Sequence, residues 1–85
     1  MKANKWIGVD IHKKQFTVCI MTKDNENQHL VYERTSEGIS DFLRQVDNET
    51  IIGIESTTWT RDFAVKCIDK AKDVIVFNTV ELKDL

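Results

Sequence analysis

Lys5-Trp6-Ile7-Gly8-Val9-Asp10-Ile11-His12 decides how the chain is read. Apolar residues dominate it, it is too short for a typical helix, and it delivers one carboxylate, Asp10, at its far end, so it reads as a strand over 5–11. The stretch Ile51-Ile52-Gly53-Ile54-Glu55 repeats the pattern, with a glycine two residues before its acid. An unpaired carboxylate buried inside a strand costs several kcal/mol, so each acid is expected just past the buried run. Two carboxylates brought side by side repel, and a divalent cation relieves that repulsion. Mg²⁺ prefers one or two carboxylates together with water and substrate phosphates. Asp10 and Glu55 are therefore the candidate catalytic and metal-holding residues, with Mg²⁺ or Mn²⁺ as the implied cofactor.

Outward from this first strand, His12-Lys13-Lys14 reads as a short polar turn. A second strand over 15–22 carries Phe16, Val18 and Ile20 on one face and Thr17, Cys19 and Met21 on the other. So short a turn makes the first two strands an antiparallel hairpin. A polar run over 23–27 leads to a third strand over 28–34, in which His29 reads as an exposed strand residue rather than a ligand. Ser36 is the expected N-cap of a helix over 37–47, whose Ile39, Phe42, Leu43 and Val46 recur at helical spacing. A fourth strand follows over 50–55. Thr57 or Thr58 is expected to cap a second helix with Phe63, Ala64, Cys67, Ile68 and Ala71 on its inner face. A fifth strand is expected over 73–78, and 79–85 reads as the opening of another helix.

The order β-β-β-α-β-α-β predicts an α/β fold: a mixed five-stranded sheet in the order 3-2-1-4-5. Right-handed crossovers place both helices on one face. In that order Asp10 and Glu55 end adjacent parallel strands, where α/β sheets place ligands. The other face is apolar as well, and a contiguous exposed patch of that kind marks an interface. Self-association is expected, through that face or through the unpaired edge of the fifth strand.

Composition narrows the function. Eighty-five residues allow one domain with a thin core. No apolar run approaches the roughly 20 residues needed to span a bilayer, and Met1–Lys5 leads straight into the first strand without a signal-peptide pattern. A cytoplasmic protein is the expectation. Cys19 and Cys67 have no CxxC spacing and read as reduced core thiols without a metal or redox role. The net charge of −2 does not suggest a free-standing nucleic-acid binder. The distribution is uneven, however: residues 1–23 carry five lysines against Asp10 alone, while residues 24–85 carry seven basic against thirteen acidic side chains. Lys13 and Lys14 can therefore lie beside a phosphate backbone near Asp10, or serve as ordinary solvated turn lysines. Trp6 and Trp59 can stack on bases, although helix–sheet packing is their commoner use.

Trp6-Ile7-Gly8-Val9-Asp10-Ile11-His12-Lys13, Gly53-Ile54-Glu55-Ser56-Thr57 and Val76-Phe77-Asn78 together resemble the N-terminal RuvC-like (RNase H-like) domain of DEDD transposases. These are insertion-sequence recombinases related to the Piv/MooV DNA invertases, some of them guided by a bridge RNA. The resemblance covers almost the whole chain. It implies an RNase H-like fold, DNA as substrate, a guide RNA as a further partner of some members, and a metal held by four acids. By that match Asp10 is the first acid and Glu55 the second, and Lys13, Lys14 and Thr57 are candidate DNA contacts. The family's third and fourth acids lie on a later helix. Asp84 comes too soon after the fifth strand to stand for them, so the chain is expected to be an incomplete RNase H-like domain, the N-terminal part of a transposase. Two competing readings remain. An actin-like ATPase or sugar-kinase half-domain also ends its first strand in an acid, but usually has a glycine in the following turn, and 11–14 has none. A non-catalytic oligomerising module would keep its acids for structural purposes.

Overall fold

The computed structural model describes residues 4–77. The expected seven elements are present, in the expected order. Strands β1 (Lys5–Ile11), β2 (Gln15–Thr22) and β3 (Asn27–Glu33) form an antiparallel meander. Helix α1 (Ser36–Leu43) leads to β4 (Thr50–Glu55), and α2 (Thr60–Ile68) leads to β5 (Asp73–Phe77). The sheet order is β3-β2-β1-β4-β5, with β4 and β5 parallel to β1. The β2–β3 turn is made by Asn25, which takes the left-handed conformation at φ 64° that asparagine tolerates. Asn78 and the expected helix over 79–85 lie outside the described residues.

Strand alternation separates the two faces of the sheet. On one face Ile7, Val9 and Ile11 of β1, Phe16, Val18 and Ile20 of β2, and Ile52 and Ile54 of β4 are buried. Ile39, Phe42 and Val46 from the first helical segment and Phe63 and Cys67 of α2 pack into the same core, so both helices cover this face. At its centre Phe16 meets Phe42 and Phe63 edge-on, with ring centroids 5.4 and 4.9 Å apart, and stacks on Tyr32 at 5.4 Å. Such geometry adds about 0.5–1.5 kcal/mol per pair beyond the area buried.

The helix ends differ from expectation for identifiable reasons. Thr35, not Ser36, caps α1: its Oγ1 accepts from the Gly38 amide at 3.0 Å. The helix ends at Leu43, not at residue 47, where the chain tightens into i→i+3 bonds: Gln45 N–H donates to the Phe42 carbonyl and Val46 N–H to that of Leu43. Lysines from outside the helix add bonds to carbonyls of this last turn. Lys70 Nζ donates to Leu43 O at 2.9 Å and Lys5 Nζ to Gln45 O at 2.6 Å, where positive charge also suits the helix dipole. Val46 still reaches the core. In α2, Ile68 was expected on the inner face and is instead exposed, because Phe63 and Cys67 fill the contact with the sheet.

Candidate functional site

The opposite face of the sheet carries the two candidate acids, Asp10 and Glu55. Its side chains form three rows across the five strands. Asn27, Met21, Trp6, Ile51 and Asp73 form the lowest. His29, Cys19, Gly8, Gly53 and Ile75 form the middle. Val31, Thr17, Asp10, Glu55 and Phe77 form the uppermost. Val9 pairs with Ile54 in the parallel register, and one step further along each strand stands the acid. Asp10 and Glu55 are therefore neighbours on adjacent strands, whose backbones run about 4.8 Å apart. Both line one depression in this face, together with Gly8, Gly53, Thr17 and Cys19.

The two glycines make the depression. Gly8 and Gly53 pair directly. A Cβ on Gly8 would meet nothing within 4 Å, and one on Gly53 would touch only the Phe77 ring at 3.7 Å. Bare backbone is therefore the floor next to the acids, and a ligand can approach it closely.

Asp10 is about half exposed, and its Oδ2 lies 3.1 Å from His12 Nε2. A histidine on one carboxylate oxygen fixes the rotamer and leaves the other oxygen for a cation, the arrangement that orients metal-binding carboxylates elsewhere. Glu55 is half-buried and has interactions of its own. Its carbonyl accepts from Thr60 Oγ1 at 2.9 Å, which ties the end of β4 to the start of α2. Thr57 does not cap α2 as expected, and neither does Thr58. Residue 59 occupies the cap position without a side-chain bond, and the Thr57 and Thr60 hydroxyls meet at 3.0 Å while Thr57 N–H donates to Thr60 Oγ1 at 2.8 Å. Thr57 is thus built into this loop. Lys13 and Lys14 are exposed in the β1–β2 turn just beyond Asp10; neither lines the depression.

Sequence reasoning missed Arg34. Its Nε–H is shared between the carbonyls of His12 at 3.1 Å and Lys13 at 2.8 Å, and its guanidinium sits 4.9 Å over the Trp59 ring. The turn after Asp10 and the loop after Glu55 are thereby clamped by one side chain. Only the register, in which Arg34 N–H also donates to Lys14 O, brings it there.

The two thiols, both free, part company. Cys67 is buried on the inner face of α2, and burial pushes its pKa up to about 12, so it stays protonated and inert. Cys19, expected in the core, stands half-exposed on the open face beside His29. Among the described residues no group of three or more His, Cys, Asp and Glu side chains is placed to hold a metal. No described helix is long and apolar enough to cross a membrane.

No family model matches the sequence, and a comparison with curated proteins finds no match.

Proposed function

We propose that the chain contributes the first two acids of a four-acid, metal-dependent site for DNA strand cleavage and transfer, in an RNase H-like domain of the transposase type acting in the cytoplasm. The observation that carries the reading is the β1–β4 register, which sets Asp10 beside Glu55 on one face over a floor of glycine backbone. The donor set fits the cofactor: two adjacent carboxylates are hard oxygen ligands of the kind Mg²⁺ and Mn²⁺ take. When bound, such an ion neutralises charge on a phosphodiester and orients the nucleophile.

The chain's own residues have separate parts in this. Asp10 and Glu55 would hold the cation, and His12 would keep the Asp10 carboxylate oriented. Gly8 and Gly53 leave room for a phosphate backbone to come within reach. Lys13 and Lys14 add positive charge on the side from which that backbone arrives. Arg34 keeps the two loops beyond the acids in fixed relation. Two carboxylates leave Mg²⁺ largely hydrated, so affinity is expected in the millimolar range at best and the isolated chain is expected to cut no DNA.

Duplex DNA binding followed by fluorescence anisotropy, with and without Mn²⁺, tests the reading. Weak binding strengthened by Mn²⁺, and lost in Asp10→Asn and in Glu55→Gln, supports it. A thermal shift with ATP and no metal-dependent DNA response would transfer the chain to the ATPase reading. Robust nicking by the pure protein, abolished by Asp10→Asn, would contradict the half-site.

A further inference from the structure

A cavity of about 310 Å³ opens on the helix-covered side of the sheet, between the start of α1 and the first two turns of α2. Arg34, Ser36, Trp59, Asp62 and Lys66 stand on its wall. Its volume is about ten times one water molecule's share of the liquid, which leaves room for a phosphate group and part of its hydration.

Arg34 makes this cavity an anion receptor. Its Nε–H is taken by the carbonyls of His12 and Lys13, and its guanidinium lies 4.9 Å over the Trp59 ring. Among the described residues its two terminal nitrogens have no hydrogen-bond partner, and its charge is in no ion pair. A side chain held in this way has already lost much of the rotamer freedom that binding would otherwise cost. The planar fork of terminal N–H donors is therefore presented ready, and it matches two oxygens of one phosphate.

Lys66 and Ser36 add to the donor set, and both are exposed. Thr35 caps α1, so the Ser36 hydroxyl is not used in capping. Asp62 opposes an anion. It stands four residues before Lys66 on α2, yet among the described residues the two form no ion pair. The wall thus carries two cations against one carboxylate, in the part of the chain where thirteen acidic side chains outnumber seven basic ones. The cavity is also tied to the acid pair by covalent neighbours. Arg34 holds the turn that follows Asp10, which carries the exposed Lys13 and Lys14, and Trp59 belongs to the loop that follows Glu55.

We infer that this cavity is a phosphate subsite, with Arg34 as its bidentate donor and Lys66 and Ser36 beside it, and that the phosphate belongs to a nucleic-acid strand that passes Lys13 and Lys14 on its way to the acid pair. The choice of a nucleic acid rests on the DNA reading above; the phosphate chemistry of the cavity does not.

The test is a proton–nitrogen NMR titration of the whole chain without metal, first with inorganic phosphate and then with a single-stranded oligonucleotide lacking terminal phosphates. Expected with phosphate are saturable shifts confined to the Arg34 Nε–H, the Ser36 amide, the Trp59 indole N–H and the neighbourhood of Lys66. The oligonucleotide should move the same signals, compete with phosphate, and bind more tightly as Lys13 and Lys14 join. Arg34→Lys should weaken phosphate binding at least tenfold, because charged hydrogen bonds of the fork are lost. Lys66→Gln should weaken it about two- to fivefold and Asp62→Asn should tighten it by a similar factor, as befits exposed charges. Both of these positions are on the surface, so far-UV circular dichroism should show both variants folded. Mn²⁺ uptake at the acid pair should be unchanged in Lys66→Gln, so a failure here and a failure of the shared-cation reading are told apart. Shifts spread over all the lysines without saturation would overturn the inference. So would wild-type affinity in Arg34→Lys or in Lys66→Gln, or weaker binding in Asp62→Asn. Phosphate binding that the oligonucleotide does not compete away would overturn the assignment to a nucleic-acid strand.

Discussion

Gly38→Ala reverses the usual sign of a helix substitution, and the structure says by how much. In an ordinary helical position the change stabilises by about 1 kcal/mol, because alanine loses less backbone entropy on folding. Here a Cβ would stand 1.9 Å from the Glu33 carbonyl oxygen and 2.8 Å from its carbon. Both are backbone atoms of β3 and cannot swing aside. An ordinary carbon–oxygen contact is about 3.3 Å, so the first turn of α1 must retreat by over an ångström. Overpacking of this kind costs about 1–3 kcal/mol. The retreat also loosens the Thr35 cap on the Gly38 amide, worth about 1 kcal/mol, and lifts Ile39 and Phe42 from the core. Against the propensity gain the net loss is roughly 1–3 kcal/mol, which for a domain of this size lowers Tm by about 4–24 °C. Urea unfolding followed by the fluorescence of Trp6 and Trp59 measures it. Ser40→Ala on the exposed side of the same helix is the control and should gain a few tenths of a kcal/mol. A Gly38→Ala protein as stable as wild type would refute the close approach of α1 to β3.

Phe42→Ala removes the ring that meets Phe16, Tyr32 and Phe63, and should cost about 3–5 kcal/mol, enough to leave a chain of this length barely folded by circular dichroism. Arg34→Ala should cost about 1 kcal/mol and speed hydrogen exchange through residues 12–15, and Arg34→Lys should not restore protection, because an ammonium cannot both reach the two carbonyls and lie flat on Trp59. Asp47 is held below its ordinary pKa of 3.8 by the Glu49 amide, then by the Thr50 hydroxyl and the Lys5 charge, with burial opposing. A lowered folded-state pKa gives stability that is present above the ordinary value and lost as pH falls through the lowered one. The stability gap between wild type and Asp47→Ala should therefore be constant at neutral pH and shrink below about pH 4, as urea midpoints across that range will show.

Much of the sheet was legible in the sequence because its signals are local. Short apolar runs ending in one acid, a three-residue turn, and helical spacing of Ile39, Phe42 and Phe63 each depend on neighbours in the chain. Those runs also fixed the acid pair once the strand order was written. What sequence could not show depends on register. Arg34 reaches the turn of residues 12–14 only because β3 pairs with β2. Cys19 meets His29 only through the same ladder, ten residues apart in sequence. The caps were misread for a different reason. Thr35 and Ser36 are equally good caps in isolation, and the bond from the Gly38 amide to Thr35 decides between them. At α2 two threonines share one network with Thr60, so neither acts as a simple cap. Ile68 fits the helical period and still faces outward, because Phe63 and Cys67 already fill the space over the sheet.

Mn²⁺ binding followed by electron paramagnetic resonance tests the shared-cation claim most directly. Wild type should take up one Mn²⁺ per chain in the millimolar range, Mg²⁺ should compete it away, and Asp10→Asn and Glu55→Gln should each abolish the uptake with the fold intact. Uptake that survives both substitutions, or falls with only one of them, would contradict an ion held between the two carboxylates.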